Sequence, residues 1–370
     1  MNDEELRCIG CGSVLQDTDP KEAGYLPSSA LKKALNDEGS DVYCQRCFRL
    51  RHYNEIMPVS ENNDDFLALL NSIADKKALV VNVVDLFDFS NSLISSLKRF
   101  IGGNEYILVG NKVDLFPKNS KETKIKDWMR QEANRNGLKP EKIFLVSAAK
   151  KKNLDELINF IAKKGKKKDI YFVGTTNVGK STLINAILSE RSDLKDLITT
   201  SKFPGTTLDE IKIPLDNGHY LIDTPGILSK KQLASHLTGK ELEVVEPKKP
   251  LKPATYQLLP GQTIFLAGLG RFDYIDGPSA GFTLYVARDL YVHRTKTENA
   301  DQFYEKHKKD LLLPPSEKDD LGLLKGQTFS PDVKSDILFG GVGFITTPAN
   351  VVVKAYTPDA IGLGIRRALI

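Results

Sequence analysis

The sequence has 370 residues, 41% of them hydrophobic and 27% charged, and its 52 basic and 48 acidic residues leave a net charge of +4. Two or three domains with real cores are expected at that length, and so mild a charge gives no reason by itself to expect a nucleic-acid partner. No apolar run reaches the ~20 residues that a bilayer span needs, and the start MNDEELRCIG lacks the basic and apolar regions of a secretion signal, so a cytoplasmic protein without a membrane partner is expected.

The four cysteines come as two C-x-x-C pairs, Cys8 with Cys11 and Cys44 with Cys47. Each pair can present two thiolates from one tight turn, and two such turns complete a closed, tetrahedral Zn²⁺ site. A dithiol switch is the alternative, and His52 is either a ligand in place of a cysteine or a surface residue. Around Cys47, Arg46, Arg49 and Arg51 alternate with Phe48 and Tyr53. That run is either a contact for RNA backbone and bases or a solvated face.

From Ala78 the run ALVVNVVD is apolar almost throughout, as in a parallel strand covered on both faces. Ser90 or Asn91 is expected to cap a helix with Leu93, Ile94, Leu97, Phe100 and Ile101 on one face, ended by Gly102. A second strand, YILVG, runs into NKVD at Asn111 to Asp114. The Asp114 carboxylate can accept from the ring N1–H and the exocyclic amine of guanine, a pair of donors adenine does not present. Asn111 would touch the purine edge or tie neighbouring loops together, and Lys112 would lay its stem along the ring. A third strand, KIFLV, reaches Ser147, Ala148 and Ala149, a short loop suited to backbone contacts with a base; NLDELINFIAKK then reads as an amphipathic helix.

After KKGKKK, a polar connector, the strand IYFV feeds GTTNVGKS, Gly174 to Ser181, which opens the helix TLINAIL. Strand, glycine-rich loop and helix in that order make a phosphate cradle. Backbone N–H groups and the helix dipole face the anion, Gly174 and Gly179 allow a sharp turn and close approach, Lys180 reaches the outer phosphates and Ser181 offers a hydroxyl to Mg²⁺. Asn177, Val178 and Thr182 complete the expected nucleotide-binding set. In PGTT, Thr207, with Thr206 the near alternative, should place a hydroxyl on Mg²⁺. IKIPLDNGHYLID reads as a hairpin turning at Asn217-Gly218 and ending in DTPG, where Asp223 would hold Mg²⁺ through water and Gly226 would reach the γ-phosphate. Ile227 and Leu228 follow, so no glutamine is there to orient an attacking water, and slow intrinsic hydrolysis is expected.

Beyond Ser229, VVEPKKPLKPATY reads as a semi-rigid linker, followed by alternating, β-rich segments and one helical stretch, ADQFYEKHKKD. Arg271, Arg288, His293, Arg294, Lys296, Arg366 and Arg367, with Phe272, Tyr274, Tyr285 and Tyr291, are candidates for an RNA-contacting face, though each taken singly is as well explained as a surface charge or a core aromatic.

The guanine-side motifs precede the phosphate-side ones, the reverse of a Ras-like order, so the domain looks circularly permuted with KKGKKK as the splice. With the paired cysteines, CQRCFRLRHYN and the order NKVD, SAA, GTTNVGKS, PGTT, DTPG, the chain resembles the YqeH family of circularly permuted GTPases over essentially its whole length. The resemblance implies an α/β, circularly permuted Ras-like P-loop GTPase domain at 61–230, an N-terminal zinc-finger module at 1–60 and a C-terminal β-rich α+β domain at 231–370, similar to RNA-binding sheets of the tryptophan attenuation type. It implies GTP hydrolysis in assembly of the small ribosomal subunit, with rRNA or pre-ribosomal particles as partners and Mg²⁺ and Zn²⁺ as cofactors; a monomer is expected. Lys180, Asn177, Thr207 and Gly226 form the expected catalytic group. Asn177 matches the asparagine that helps hold K⁺ in potassium-stimulated GTPases, so K⁺ activation is expected, although Thr175-Thr176 stand where many relatives carry a proline. The rival readings are a constitutive RNA-binding scaffold with a structural nucleotide, and a redox enzyme using the cysteines.

Overall fold

The computed structural model describes residues 6, 8, 14–20, 24–36, 42–45, 70–118, 120–190, 211–215, 218–226, 233, 236–316, 321–359 and 361–370. Cys11, Cys47, His52, the arginines and aromatics around Cys47, Thr206, Thr207, Asn217, Ile227 and Leu228 lie outside those residues. The chain divides into two compact units, one of Met1–Asp85, Leu93–Lys112 and Arg130–Leu228, the other of Leu86–Ser92, Val113–Met129 and Ser229–Ile370. Near the start, helix α1 (Ser28–Asn36) is the regular element, and Cys8 and Cys44 are buried with Leu15 and Leu26.

The first unit holds a six-stranded sheet of β1 (Ala78–Asp85), β2 (Glu105–Asn111), β3 (Ile143–Leu145), β4 (Asp169–Val173), β5 (Ile211–Pro214) and β6 (Tyr220–Asp223). Its spatial order is β3-β2-β1-β4-β6-β5, parallel except for the β5–β6 hairpin. Every residue of β1 is buried, as a strand covered on both faces requires. A valine there stabilises the fold by about 1.5–3 kcal/mol gross through removal from water. Strand order reverses at β1 and β4: β2 and β3 lie to one side, β6 and β5 to the other. Their carboxyl ends are thus the switch point at which open α/β sheets bind ligands.

The single helix expected after β1 is instead two short ones, α2 (Phe89–Ser92) and α3 (Leu97–Ile101). Asn91 is inside α2, where its amide donates to Asp88 at 2.8 Å, and a second start at Ser96 interrupts the stripe; Gly102, at φ +59°, ends α3 as expected. Helices α4 (Glu122–Arg135), α5 (Leu154–Lys164) and α6 (Lys180–Glu190) follow β2, β3 and β4. The β5–β6 turn contains Gly218 at φ +78°.

The second unit carries α7 (Gly239–Val245), started by a Thr238–Glu241 capping box, and ten strands: β7 (Ala254–Leu258), β8 (Gln262–Leu266), β9 (Gly270–Asp276), β10 (Ala280–Val286), β11 (Val292–Lys296), β12 (Leu324–Phe329), β13 (Ser335–Phe339), β14 (Gly343–Thr347), β15 (Val352–Pro358) and β16 (Leu363–Arg367), with α8 (Thr297–His307) between β11 and β12. They form two five-stranded antiparallel sheets, β16-β13-β14-β10-β7 and β11-β8-β9-β15-β12. Replacing each of β7 to β11 by the strand five places on, and each of β12 to β16 by the strand five places back, converts one order into the other. The domain is an internal duplication whose halves exchange strands. Register agrees: Thr263 pairs with Asp273 and Leu266 with Gly270 in one hairpin, Asp336 with Thr346 and Phe339 with Gly343 in the other.

The inner faces share one core, with Ile264, Phe272, Tyr274 and Phe282 meeting Ile337, Phe339 and Ile345. This corrects the candidate RNA face. Phe272 and Tyr274 are wholly buried. Arg271 is buried against Asp273 and Asp301, Arg366 against Asp336, and Tyr285 is buried in a stack on Phe344. Burial, and next the charge of His307, hold His293 below the usual histidine range, so it brings no cation near neutral pH. Arg288, Arg294, Lys296 and Arg367 are exposed. The supposed linker is also fixed within this unit: Leu251 is buried, and its N–H donates to the Leu115 carbonyl at 2.7 Å.

Candidate nucleotide-binding site

The phosphate loop leaves β4 at Gly174, where a Cβ would meet the Val83 carbonyl oxygen at 2.6 Å; a side chain there would force β1 and β4 apart. Asn177 is exposed at φ +62°, a region asparagine tolerates better than most residues, and Val178 plugs the loop into the core. Gly179, at φ +81°, passes within 2.5 Å, measured from a would-be Cβ, of the Asn111 amide nitrogen. Lys180 then starts α6, with the N–H groups of its first turn at the loop, Ser181 half-buried and Thr182 exposed.

Lys180 and Asp223 are both buried, 4.0 Å apart, and the Ser181 hydroxyl donates to the other Asp223 oxygen at 2.9 Å. β6 therefore delivers Asp223 to the residues expected to hold Mg²⁺. A hydroxyl and a carboxylate side by side are hard oxygen donors that fit that ion. Thr224 locks the turn, its hydroxyl donating to the Phe172 carbonyl at 2.8 Å. At Gly226 a Cβ would stand 3.0 Å from the Thr176 Cα, so a side chain there would crowd the phosphate loop where DTPG passes it.

On the base side, Asn111 ends β2. Its amide nitrogen donates to the Val178 carbonyl at 2.8 Å and its oxygen accepts from the Ala148 N–H at 3.0 Å. Of the two roles open to it in the sequence, the tie between loops is the one formed. Ser147 is wholly buried, and its hydroxyl accepts from the Lys150 N–H at 3.0 Å. Lys112, at φ +68°, directs its ammonium to Asp85 at 2.6 Å. Asp85 was missed in the sequence; a carboxylate closing an otherwise apolar strand was the signal available. Asp114 lies in the 3₁₀ turn Val113–Leu115 that continues from Lys112.

In the cysteine region, the Cys44 N–H donates to the Cys8 sulfur at 3.2 Å, so the first cysteines of the two pairs meet. Among the described residues there is no cluster of three metal-binding side chains. Likewise, no helix among them is long and apolar enough to cross a membrane.

Two family profiles match the chain: one described as YqeH-like, C-terminal, over residues 279–369, and one described as 50S ribosome-binding GTPase over residues 169–251. The YqeH protein of Bacillus subtilis, itself uncharacterized, is 48% identical over 99% of this chain and 100% of its own length. NO-associated protein 1 of Arabidopsis thaliana, chloroplastic/mitochondrial, is 30% identical over 92% of this chain and 69% of its own. Among solved structures, that of YjeQ from Thermotoga maritima is 24% identical, covering 41% of this chain and 48% of that one at a TM-score of 0.27.

Proposed function

The chain belongs to the YqeH family of circularly permuted GTPases, and from that premise we propose that it is a cytoplasmic, GTP-hydrolysing assembly factor for the small ribosomal subunit that binds rRNA or precursor particles under nucleotide control. The observation that carries the GTPase reading is Asn111, one side chain bonded at once to the phosphate loop and to the Ser147–Ala148 loop. It fixes the distance between the end of the site that holds phosphate and the end that reads a base.

In this reading, loop N–H groups and Lys180 take the β- and γ-phosphates, and Asp114 selects guanine. Ser181, Asp223 and Thr207 would hold Mg²⁺, which supplies charge neutralisation to the phosphates when bound. Water attacks the γ-phosphorus, the bond to the β-phosphate oxygen breaks, and GDP and phosphate leave. Lys180 and the backbone N–H of Gly226 face the charge that develops on the transferred group. With Ile227 after DTPG, no side chain there orients the water, and the intrinsic rate is slow. Asn177 would hold K⁺ beside the phosphates; replacing K⁺ by Na⁺ is expected to lower turnover by about tenfold or more, and equal rates in the two salts, read by phosphate release, would remove that role. The zinc reading rests on Cys8 and Cys44 meeting; Cys11 and Cys47 would complete the ligand set.

Small-subunit specificity comes from the family resemblance alone, and one matching profile is described by the large subunit instead. The test is co-sedimentation with purified 30S precursors and, separately, 50S subunits, each with GDP and with a non-hydrolysable GTP analogue. At least about tenfold tighter binding to 30S particles with the analogue is expected. Equal affinity in both nucleotide states eliminates a switch, since a ligand moves an equilibrium only by its differential affinity; preference for 50S reassigns the partner.

A further inference from the structure

The duplicated β-domain has two outer faces, and they are covered differently. In the first half, β8 and β9 turn Thr263, Phe265, Arg271 and Asp273 away from the shared core. Helix α8 lies over them: Phe265 packs with Ala300, Phe303 and Tyr304, Arg271 bonds Asp301 of α8, and just beyond α8 the Pro314 carbonyl accepts from the Gly268 N–H at 3.0 Å. The half supplies its own lid.

In the second half the matching positions are Asp336, Leu338, Phe344 and Thr346. Among the described residues, no helix of the second half lies over these positions as α8 does over the first. Its place is taken by two segments from far earlier in the sequence, both belonging to this same compact unit. Asp88 accepts from the N–H of Gly341, the counterpart of Gly268, at 2.9 Å. Trp128, on α4, lies over the Arg366 guanidinium at 4.6 Å, with Phe344 at 4.6 Å from the same group. Arg366 is tied to Asp336 at 3.0 Å, Asp336 also accepts from Thr346 at 2.6 Å, and Phe89 packs on Trp128 at 4.6 Å.

The borrowed lid, residues 113–129, begins with the turn that carries Asp114. The next residue, Leu115, gives its carbonyl to the Leu251 N–H. The segment that opens with the turn expected to read guanine is thus held near its start by the connector into the β-domain and, further on in α4, by a tryptophan seated on a buried arginine.

We propose that Trp128, clamped on Arg366, is a positioning residue for guanine recognition: the C-terminal β-domain sets the pose of the Asp114 turn and senses its engagement by nucleotide. This rests on the GTPase reading. It gives the nucleotide a route to the C-terminal domain through the base.

Trp128 is the sole tryptophan in the sequence, so its emission reports this contact in the full-length protein. Titration with GDP is expected to shift that emission with the same midpoint as binding of a fluorescent GDP derivative. Trp128→Ala is expected to weaken GDP and raise the KM for GTP by about tenfold, with discrimination against ADP and xanthosine diphosphate falling by a similar factor. The kcat should stay within about twofold, and Trp128→Phe, which keeps a ring on Arg366, should restore affinity and selectivity. A folded Trp128→Ala protein with full guanine affinity overturns the proposal. Emission indifferent to saturating GDP overturns it too, and that measurement stands if Trp128→Ala does not fold. A wild-type protein that binds no guanine nucleotide fails the GTPase reading itself; binding with selectivity independent of Trp128 fails this proposal alone.

Discussion

Lys180→Ala is expected to lower the single-turnover rate of GTP hydrolysis by about 10²–10³-fold, the usual loss when one preorganised donor to a developing oxyanion is removed. The side chain is only 7% exposed and stands 4.0 Å from Asp223. Water screens a surface lysine; this one works where the dielectric is low and its charge counts for more. The GDP affinity of the variant should fall less than its rate, because loop N–H groups and Asp114 still hold the ground state. Quenched-flow phosphate release checks the rate. A loss under about threefold would mean that the loop is a structural nucleotide holder, and the scaffold reading would then replace the enzymatic one.

Asp114→Asn should exchange one base preference for another. In the proposed pose the carboxylate accepts two hydrogen bonds from guanine, each charge-assisted and worth about 1.5–3 kcal/mol; asparagine keeps one neutral acceptor and turns a donor towards the guanine amine, so GTP is expected to weaken by about 10²–10⁴-fold. Xanthine carries a carbonyl where guanine carries its amine, and the asparagine amide can donate to it. Xanthosine triphosphate should therefore bind the variant better than GTP does, with hydrolysis recovered once it is saturating. Competition against a fluorescent GDP derivative reads both halves. Unchanged GTP affinity would remove Asp114 from the base site, and loss of GTP without gain of the xanthine nucleotide would point to a collapsed turn.

Much of the site was legible in the sequence because its motifs are backbone solutions. Gly174 and Gly179 stand where a Cβ has no room, Gly226 where one would be crowded, and Asn177 takes a positive φ; such demands leave few residue choices, and spacing reveals them. Strands β1 to β4 were legible for a similar reason, since doubly covered parallel strands are mostly apolar. What sequence hid was long-range pairing. Asp85 meets Lys112 across two strands, and Arg366 meets Asp336 and Trp128. Nothing in the local pattern around an arginine tells a solvent-facing cation from one buried on a carboxylate, so Arg271 and Arg366 read as candidates for an exposed face, whereas both are buried beneath the cover of their sheets. The split of the α2–α3 region was likewise invisible, because the apolar spacing that predicts one helix is also met by two short ones, with Asp88 held to Gly341.

The strand exchange in the β-domain has a consequence for how this protein can be divided. Each five-stranded sheet takes three strands from one half and two from the other, the arrangement of an intertwined dimer within one chain. Neither half then has a complete sheet to fold into, and either one alone would leave strand edges bare. The pair must appear, fold and be inherited as one indivisible body.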